Sequence, residues 1–392
     1  MTDDLVATFN AGSSSLRCGV YRPQGDAPAP LLAISIRGLP RQMILEINDP
    51  EAGTTEEREL DAPGEAPHED AFAAVMAHLE DRLDLDRLRA AAHRVVHGGQ
   101  DFDAPTRVTD DVLDRLDALT PLAPSHQPHN LRPIRQLARR DPELVQVACF
   151  DTAFHRTQPR LAQLYALPRE QSDDGLLRYG FHGLSYDHIA RRLDREHPKL
   201  HAGRVIVAHL GHGVSLCALQ GGESRATTMG LTALDGMPMG QRCGTLDPGA
   251  VLHLILDRGH SPEATRDMLY ERSGLLGVSG ISGEMGDLLA SDAAEAEEAV
   301  ALFTYRFARE VGSLTAALGG LDGLVLTGGM GEHLPDLRAR LVHAVEWQGA
   351  RLDDAANADG GPVISTEDSA FPVLAWPTDE ESVLARAAAR AL

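Results

Sequence analysis

LVATFNAGSSSLRCGVY, residues 5–21, consists of two β-prone segments on either side of a turn built from small and hydroxyl residues. This arrangement predicts a strand, a tight turn and a second strand. Residues 204–222, RVIVAHLGHGVSLCALQGG, repeat the arrangement in the second half of the chain. At an offset of 200 residues, Ser15 falls on Ser215. Because one such hairpin opens each half, we predict a duplicated fold.

The rest of the chain alternates β-prone and helix-prone segments, which predicts an α/β protein. Apolar residues at helical spacing predict a helix over His68–Ala92, followed by a short strand at Arg94–His97. We predict two domains, residues 1–150 and 151–379, with a last helix at 380–392 packing back on the first. Further helices are predicted near Asp110–Leu119, Asn130–Arg139 and Glu298–Ala317, and a further strand at Val363–Ser365.

The charge balance excludes several classes of partner. The 392 residues include 36 basic and 58 acidic side chains and carry a net charge of -22, whereas nucleic acids and anionic membranes select basic surfaces. No run approaches the roughly 20 apolar residues that span a bilayer. The acidic start MTDDLVATFN also differs from the basic start of a signal peptide. We therefore expect a cytoplasmic protein that binds neither nucleic acid nor membrane.

The chain contains a single lysine, Lys199, in the context EHPKLHAGR. A Walker-type phosphate loop needs a lysine after its second glycine, and a protein kinase needs one on its third strand. Lys199 has neither context, so the sequence excludes both of these nucleotide-binding designs.

Three glycine-rich turns are candidates for phosphate binding. Each follows an apolar, β-prone run, and such turns expose backbone N–H groups that can surround phosphate oxygens. The hydroxyl groups of Ser13 and Ser15 could add donors, and Asn10 could orient them. Taken singly, each turn is better explained as a plain hairpin connection; three in one chain favour phosphate binding. The turns are AGSSS at 11–15, LGHG at 210–213 and TGGMGE at 327–332.

Charged and histidine-containing motifs supply candidate catalytic groups. Arg94 in HRVVHGG and Arg242 in MGQRCG lie beside glycines, and a guanidinium group suits carboxylate and phosphate oxygens. Asp151 ends an apolar strand, where open α/β sheets place active groups. Glu380, at a strand end and helix start, could hold magnesium or simply cap the helix. The histidines lack zinc-binding spacing such as H-E-x-x-H, so we expect no zinc site.

Taken together, these segments resemble the acetate kinase family, the acetate, propionate and butyrate kinases. The resemblance runs nearly from end to end. It implies duplicated ribonuclease H-like domains of the actin and sugar-kinase type with a cleft between them, and a homodimer. It also implies transfer of a phosphoryl group from ATP to acetate or propionate, giving an acyl phosphate and ADP with Mg²⁺, or Mn²⁺, as the cofactor. The matching blocks are FNAGSSSLR, HRVVHGG, FDTAFHRTQP, RYGFHGLS, HLGHG, TTMGLTALDGMPMGQRCGTLDP, SGLLGVSGIS, LTGGMGE and PTDEE.

The resemblance also implies roles for particular residues. Arg94 and Arg242 would bind the carboxylate and the transferred phosphoryl group, with His182 donating to that group and His126 assisting. Asp151 and Glu380 would organise the magnesium ion and the acceptor. Residues 1–150 would form the acceptor and phosphate side, and residues 151–379 the nucleotide-binding domain. Asn10 would join Glu380 at the metal; the acyl group would contact Arg94, Val96, Ser125, Phe181 and Ala233; and the nucleotide and its phosphates would contact Asn10, Ser13, Ser15, Arg17, His209, Gly211, His212, Gly213, Glu284, Gly329, Met330 and Gly331.

The chain departs from the family pattern at positions that would contact substrates. Near the nucleoside, His212 replaces an asparagine, Met330 replaces an isoleucine, and Gly286 replaces an arginine. In the acyl pocket, Ser125 replaces a leucine and Ala233 a proline. Two hypotheses follow: the donor could be pyrophosphate or another nucleotide, and the acceptor could be larger than acetate.

Three other classes of protein remain as alternatives. A non-catalytic relative that only binds a metabolite would keep the fold, yet the expected catalytic residues are all present. A sugar kinase would lack HRVVHGG and FDTAFH. An actin-type filament protein would have no use for the arginines expected at the acyl site.

Overall fold

The computed structural model describes residues 4–12, 14–23, 28–124 and 126–392. The chain folds as two compact units, one of Met1–Phe154 with Asp379–Leu392 and one of His155–Thr378. The substrate roles that we assign to the two halves remain predictions.

The first unit is built on one sheet, in the order β5-β4-β3-β2-β1-β6-β8-β7. Its strands are β1 (Leu5–Ala11), β2 (Ser15–Arg22), β3 (Ala29–Arg37), β4 (Ile44–Asp49), β5 (Thr54–Glu59), β6 (Leu88–Val95), β7 (Thr106–Arg107) and β8 (Val145–Phe150). Its helices are α1 (Pro67–Arg82), α2 (Asp110–Ala118), α3 (Gln127–Arg140) and α16 (Glu380–Arg390).

The second unit has a smaller sheet, in the order β11-β10-β9-β12-β13. Its strands are β9 (Arg204–Leu210), β10 (Val214–Gln220), β11 (Glu223–Thr227), β12 (Gly323–Thr327) and β13 (Val373–Ala375). Its helices are α4 (Arg160–Gln163), α5 (Arg169–Asp173), α6 (Gly183–Glu196), α7 (Pro198–His201), α8 (Pro248–Leu256), α9 (Pro262–Glu271), α10 (Gly274–Ser279), α11 (Met285–Leu289), α12 (Ala294–Leu318), α13 (Gly329–His333), α14 (Pro335–Ala344) and α15 (Asp354–Ala358).

The two sheets share one topology. In the first unit β3, β2 and β1 pair antiparallel, and β6 and β8 follow in parallel. In the second unit β11, β10 and β9 pair antiparallel, and β12 and β13 follow in parallel. The same order and the same strand directions confirm the predicted α/β class and the duplication. The hairpins predicted at residues 5–21 and 204–222 each open one of these sheets.

Each unit buries its own apolar core. In the first, α1 places Phe72, Val75 and Leu79 on one face, at the spacing of successive helical turns, against Phe9 and Ile34 of the sheet. In the second, the long helix α12 buries residues at the same spacing and packs on the sheet: Ala296, Ala299, Val300, Phe303, Phe307, Val311, Leu314 and Leu318. Burying one such side chain contributes about 1.5–3 kcal/mol, so these faces hold the helices in place.

Two sequence predictions are wrong in this region and near the C-terminus. The helix predicted over His68–Ala92 ends at Arg82, and its last residues, Leu88–Ala92, form β6 together with His93, Arg94 and Val95. Alanines favour helix in isolation, but here three of them are fully buried in a central strand, so tertiary packing overrides propensity. At 363–365 there are only isolated bridges, Val363 to Leu374 and Leu352 to Ser365, in place of a strand.

Among the described residues, no helix combines the length and the apolar character required to cross a membrane.

Candidate active site

Arg94 and Asp151 form a bidentate ion pair in the first unit. Arg94 is the penultimate residue of β6, and Asp151 directly follows the parallel neighbour β8, so the sheet places both at strand ends. Arg94 Nε donates to Asp151 Oδ1 at 3.0 Å, and Nη2 donates to Oδ2 at 2.7 Å. Burial alone would lower the pKa of Arg94, but the charge and hydrogen bonds of Asp151 outweigh it and raise the pKa above its usual value.

Asn10 extends this pair toward α16. Arg94 Nη1 donates to Asn10 Oδ1 at 3.2 Å, and Asn10 Nδ2 donates to Glu380 Oε2 at 3.2 Å. Glu380 is the first residue of α16, which begins there because the Asp379 side chain accepts a hydrogen bond from the Ser382 amide. The first unit therefore brings together four of the predicted site residues in one polar chain.

The other predicted residues of the first unit differ in their exposure. Arg17 is exposed and its Nη1 lies 3.9 Å from the Glu381 carboxylate. Ser15 opens β2 and is half-buried, Val96 is buried, and His126 is half-buried directly before α3. Ser13 and Ser125 lie outside the described residues.

Two buried amides at the start of α3 were missed by the sequence reasoning. Asn130 Oδ1 accepts a hydrogen bond from the Val96 amide at 2.9 Å, and its Nδ2 donates to the Ala11 carbonyl. Gln127 bonds both backbone groups of His97. Both lie in the motif SHQPHN, which we read only for its histidines; amides between histidines at a helix start were the available signal. They tie the first glycine turn to the segment after β6.

His182 is held in an unusual conformation in the second unit. Its φ of 59° makes it the one non-glycine residue with positive φ among the described residues. Its Nδ1 lies 2.8 Å from Ser215 Oγ, which lies 2.5 Å from the Tyr186 hydroxyl. The buried ring of His155 bonds the preceding Phe181 carbonyl through Nε2 at 2.9 Å. A strained conformation persists only where the surrounding structure holds it, and such residues cluster at functional sites.

A second imidazole stacks on His182. The ring centroids of His182 and His209 lie 4.2 Å apart with 25° between their planes. The Nδ1 of His209 lies 2.9 Å from Ser185 Oγ, so each ring of the stack has a serine hydroxyl at its Nδ1.

The opposite edges of these rings face the glycine turn between β9 and β10. A Cβ at Gly213 would lie 2.9 Å from His182 Nε2 and 3.0 Å from Arg242 Nη2, and one at Gly211 would lie 2.9 Å from His209 Nε2. Only glycine leaves this space open. Arg242, His182 and His209 therefore converge on the turn that the sequence predicted to bind phosphate.

Arg242 itself is held by a neutral group. Its Nη1 donates to the Ala233 carbonyl at 2.7 Å, and burial lowers its pKa. A buried arginine that is bonded to a neutral group is stabilised most by an anion that arrives with the substrate.

The third glycine turn depends on a buried arginine that the sequence reasoning also missed. Arg338 is 2% exposed. It donates to the carbonyls of Gly331 and Glu332 at 3.1 and 2.8 Å and to Asn357. It thereby fixes α13, which carries Gly329 and Met330.

Two of the residues that depart from the family pattern, His212 and Gly286, are exposed in the second unit. His212 and Glu284 are largely exposed, with 4.0 Å between His212 Nδ1 and Glu284 Oε1. A Cβ at Gly286 would meet only Leu334, at 4.0 Å. Open space therefore exists where the family carries an arginine.

Comparisons with known proteins agree with this architecture. The model of the Acetokinase family matches residues 5–386. The acetate kinase of Rhodopseudomonas palustris (strain TIE-1) is 48% identical over 388 residues, covering 98% of this chain and 97% of that protein. The acetate kinase of Methylocella silvestris is 44% identical, covering 97% and 96%.

Two solved structures resemble the chain over nearly its whole length. A propionate kinase from Francisella tularensis has a TM-score of 0.90 at 30% identity, covering 98% of this chain and 99% of that one. The acetate kinase of Porphyromonas gingivalis has a TM-score of 0.84 at 31% identity, covering 97% and 98%. They confirm the predicted fold class. The chain is a phosphotransferase that uses a carboxyl group as acceptor. It belongs to the acetokinase family.

Proposed function

We propose that this protein reversibly transfers a phosphoryl group between ATP and acetate or a related short-chain acid, giving the acyl phosphate and ADP. The observation that carries the proposal is the convergence of His182 Nε2 and Arg242 Nη2 on Gly213. A cation and an imidazole over a glycine turn suit a phosphoryl group in transfer, because its charge lies on oxygens that need nearby donors. The non-catalytic alternative predicts binding of these substrates without turnover.

Arg94 serves in this proposal as a fixed carboxylate and phosphoryl ligand. Asp151 occupies two of its donors, so the guanidinium is oriented before substrate arrives. A carboxylate is already a competent nucleophile at neutral pH and needs no strong base. The protein therefore contributes mainly alignment and positive charge.

The donor set at Glu380 fits a magnesium ion, or manganese, that arrives with a nucleotide. Among the described residues no group of three or more histidines, cysteines or carboxylates could hold a metal by itself. Mg²⁺ in phosphoryl-transfer sites is bound by one or two carboxylates together with substrate phosphates. Glu380 and Asp151, with Asn10 beside them, would hold it in that way. When bound, the ion neutralises phosphate charge.

ATP is the proposed donor, with pyrophosphate or another nucleotide as the alternative suggested by Gly286, His212 and Met330. Purified protein with magnesium, acetate and hydroxylamine, given either ATP or pyrophosphate, tests this choice. Hydroxamate with ATP supports the proposal, and hydroxamate with pyrophosphate alone would replace the donor.

Gly286→Arg is expected to lower the KM for ATP about tenfold, which is worth about 1.4 kcal/mol of binding. The reason is that the new guanidinium adds a stacking plane and a charge in space that is open around position 286. Steady-state kinetics with ATP varied at saturating acetate measures the effect. Gly286→Ala is the matched control and should leave KM unchanged. An unchanged KM in Gly286→Arg would show that position 286 does not contact the donor.

The acceptor is proposed to be acetate or a slightly longer acid. Phe181 directly precedes His182, and the Ala233 carbonyl holds Arg242, so both adjoin residues of the proposed transfer site of the second unit. One methylene is worth about 1–3 kcal/mol in such a pocket. A series from acetate to butyrate, compared by kcat/KM, identifies the preferred chain.

We also propose a homodimer that works in the cytoplasm. The helix α8 supports the dimer: no residue of PGAVLHLIL is buried, and Leu252 and Leu256 are 56% and 74% exposed. A row of exposed leucines favours an interface. The described cysteines are all free thiols, which suits a reducing compartment.

The double substitution Leu252→Asp with Leu256→Asp is expected to convert the dimer to a monomer of 42.1 kDa, because two charges would be buried at the interface. Light scattering coupled to gel filtration measures the mass. Tyr305→Asp, at another exposed apolar residue, should leave the dimer intact. A dimer that survives the α8 substitutions would place the interface elsewhere.

A further inference from the structure

We propose that Ser215 and Tyr186 are positioning residues that set the tautomer of His182, so that an Nε2–H group faces Gly213. The catalytic consequence rests on the proposed function, whereas the tautomer does not. The three side chains come from different elements: His182 precedes α6, Tyr186 lies in its first turn, and Ser215 lies in β10.

The donor of each hydrogen bond between Tyr186, Ser215 and His182 can be assigned by starting from Tyr186. Tyr186 and Ser215 are both fully buried. Burial raises the pKa of Tyr186 well above its usual value, so the phenol keeps its proton. A buried hydroxyl must donate that proton to an acceptor, and Ser215 Oγ lies 2.5 Å away.

The Ser215 hydroxyl then has one hydrogen that it can donate. We assign this hydroxyl as the acceptor from Tyr186 and as the donor to His182 Nδ1, at 2.8 Å. A neutral imidazole with an acceptor at Nδ1 carries its proton at Nε2. The chain of hydroxyls thus selects one of the two tautomers.

The selected tautomer matches what surrounds the other edge of the ring. His182 Nε2 lies over the open space at Gly213, beside Arg242 Nη2. An N–H there adds a second donor for an anion, whereas a lone pair would repel it. A flip of the ring would place a carbon against Ser215, so the hydrogen bond also selects the ring orientation.

The backbone of His182 is fixed independently. Its left-handed conformation is strained for a non-glycine residue, so the surrounding structure must hold it. His155, with Ser224 Oγ at 2.9 Å from its Nδ1, bonds the Phe181 carbonyl through Nε2. The stacked His209 restricts rotation of the ring. With backbone and ring plane held, the proton position is the remaining variable, and Ser215 controls it.

The test combines NMR of imidazole nitrogens with kinetics. In ¹⁵N-histidine-labelled protein, with His182→Gln to assign the signals, we expect wild-type His182 as the Nε2–H tautomer. Ser215→Ala should shift the two nitrogen signals toward a mixed population. It should lower kcat about 10- to 100-fold, less than the roughly 10²- to 10³-fold for complete loss of an oriented donor, with both KM values within about threefold. Ser215→Thr keeps the hydroxyl and should restore most of the activity. Tyr186→Phe should reproduce part of the Ser215→Ala effect.

Ser172→Ala is the matched control, because Ser172 is also a buried serine bonded to its neighbours, Arg160 and Arg169. It should leave both the spectrum and kcat unchanged. The proposal would be overturned if wild-type His182 were the Nδ1–H tautomer, or if its nitrogen signals did not change in Ser215→Ala. A shifted tautomer with unchanged kcat would overturn its catalytic part. If the protein turned over no substrate, the NMR result would still decide the tautomer while the proposed function failed.

Discussion

Arg94→Met is expected to lower kcat by about 10³-fold, the order of magnitude known for other arginines that stabilise phosphoryl transfer. It is also expected to lower the free energy of unfolding by about 3–5 kcal/mol, because it leaves a buried carboxylate without its cation. The carboxylate is that of Asp151, which is 1% exposed and bonded to Arg94 through both oxygens. Hydroxamate assays and urea denaturation measure the two effects.

A double variant separates the two effects. Replacing Arg94 by methionine together with Asp151→Leu removes both charges, so most of the lost stability should return. Activity should remain lost, because both groups are proposed to act on the substrate. A double variant that regained activity would contradict the proposed roles, and a stable single variant would contradict the buried ion pair.

Arg242→Met is expected to lower kcat by a similar factor, about 10³, but with little effect on stability. Arg242 donates to a carbonyl, and burial lowers its pKa, so its charge is costly in the free protein. Removing it should change the free energy of unfolding by less than about 1.5 kcal/mol, the worth of one ordinary hydrogen bond. The same assay and denaturation series measure both quantities.

Arg340→Met provides the matched control for Arg242. Arg340 pairs with Glu297 at the surface, where such pairs contribute about 0–1 kcal/mol. We expect wild-type activity and stability. Strong destabilisation by Arg242→Met would show that this arginine stabilises the fold. Undiminished turnover would show that it does not act in the reaction.

Much of the fold could be predicted from local sequence. The hairpins at 5–21 and 204–222 have strand-prone flanks and glycine turns, and they open the two sheets as expected. The strand Leu88–Val95 could not be predicted this way. Its alanines favour helix locally, and only its position between two parallel strands explains why small residues are needed there.

The candidate site likewise contains residues that could be predicted from local sequence and residues that could not. Arg94, Asp151 and Glu380 lie in motifs, and the structure joins them through Asn10. Tyr186 and Ser215 lie in different elements, and nothing local relates them. Contacts between distant elements arise from packing, so residues that act through another side chain need a structure to be found.

The most direct test of the central claim is ³¹P NMR of the purified protein with Mg-ATP and acetate labelled with ¹⁸O in both carboxyl oxygens. Attack of the carboxylate on phosphorus would place a labelled oxygen on the phosphorus of acetyl phosphate, with an equal amount of ADP. We expect that isotope-shifted signal. Acetyl phosphate without the shift, or ADP and inorganic phosphate without acetyl phosphate, would contradict phosphoryl transfer to the carboxylate.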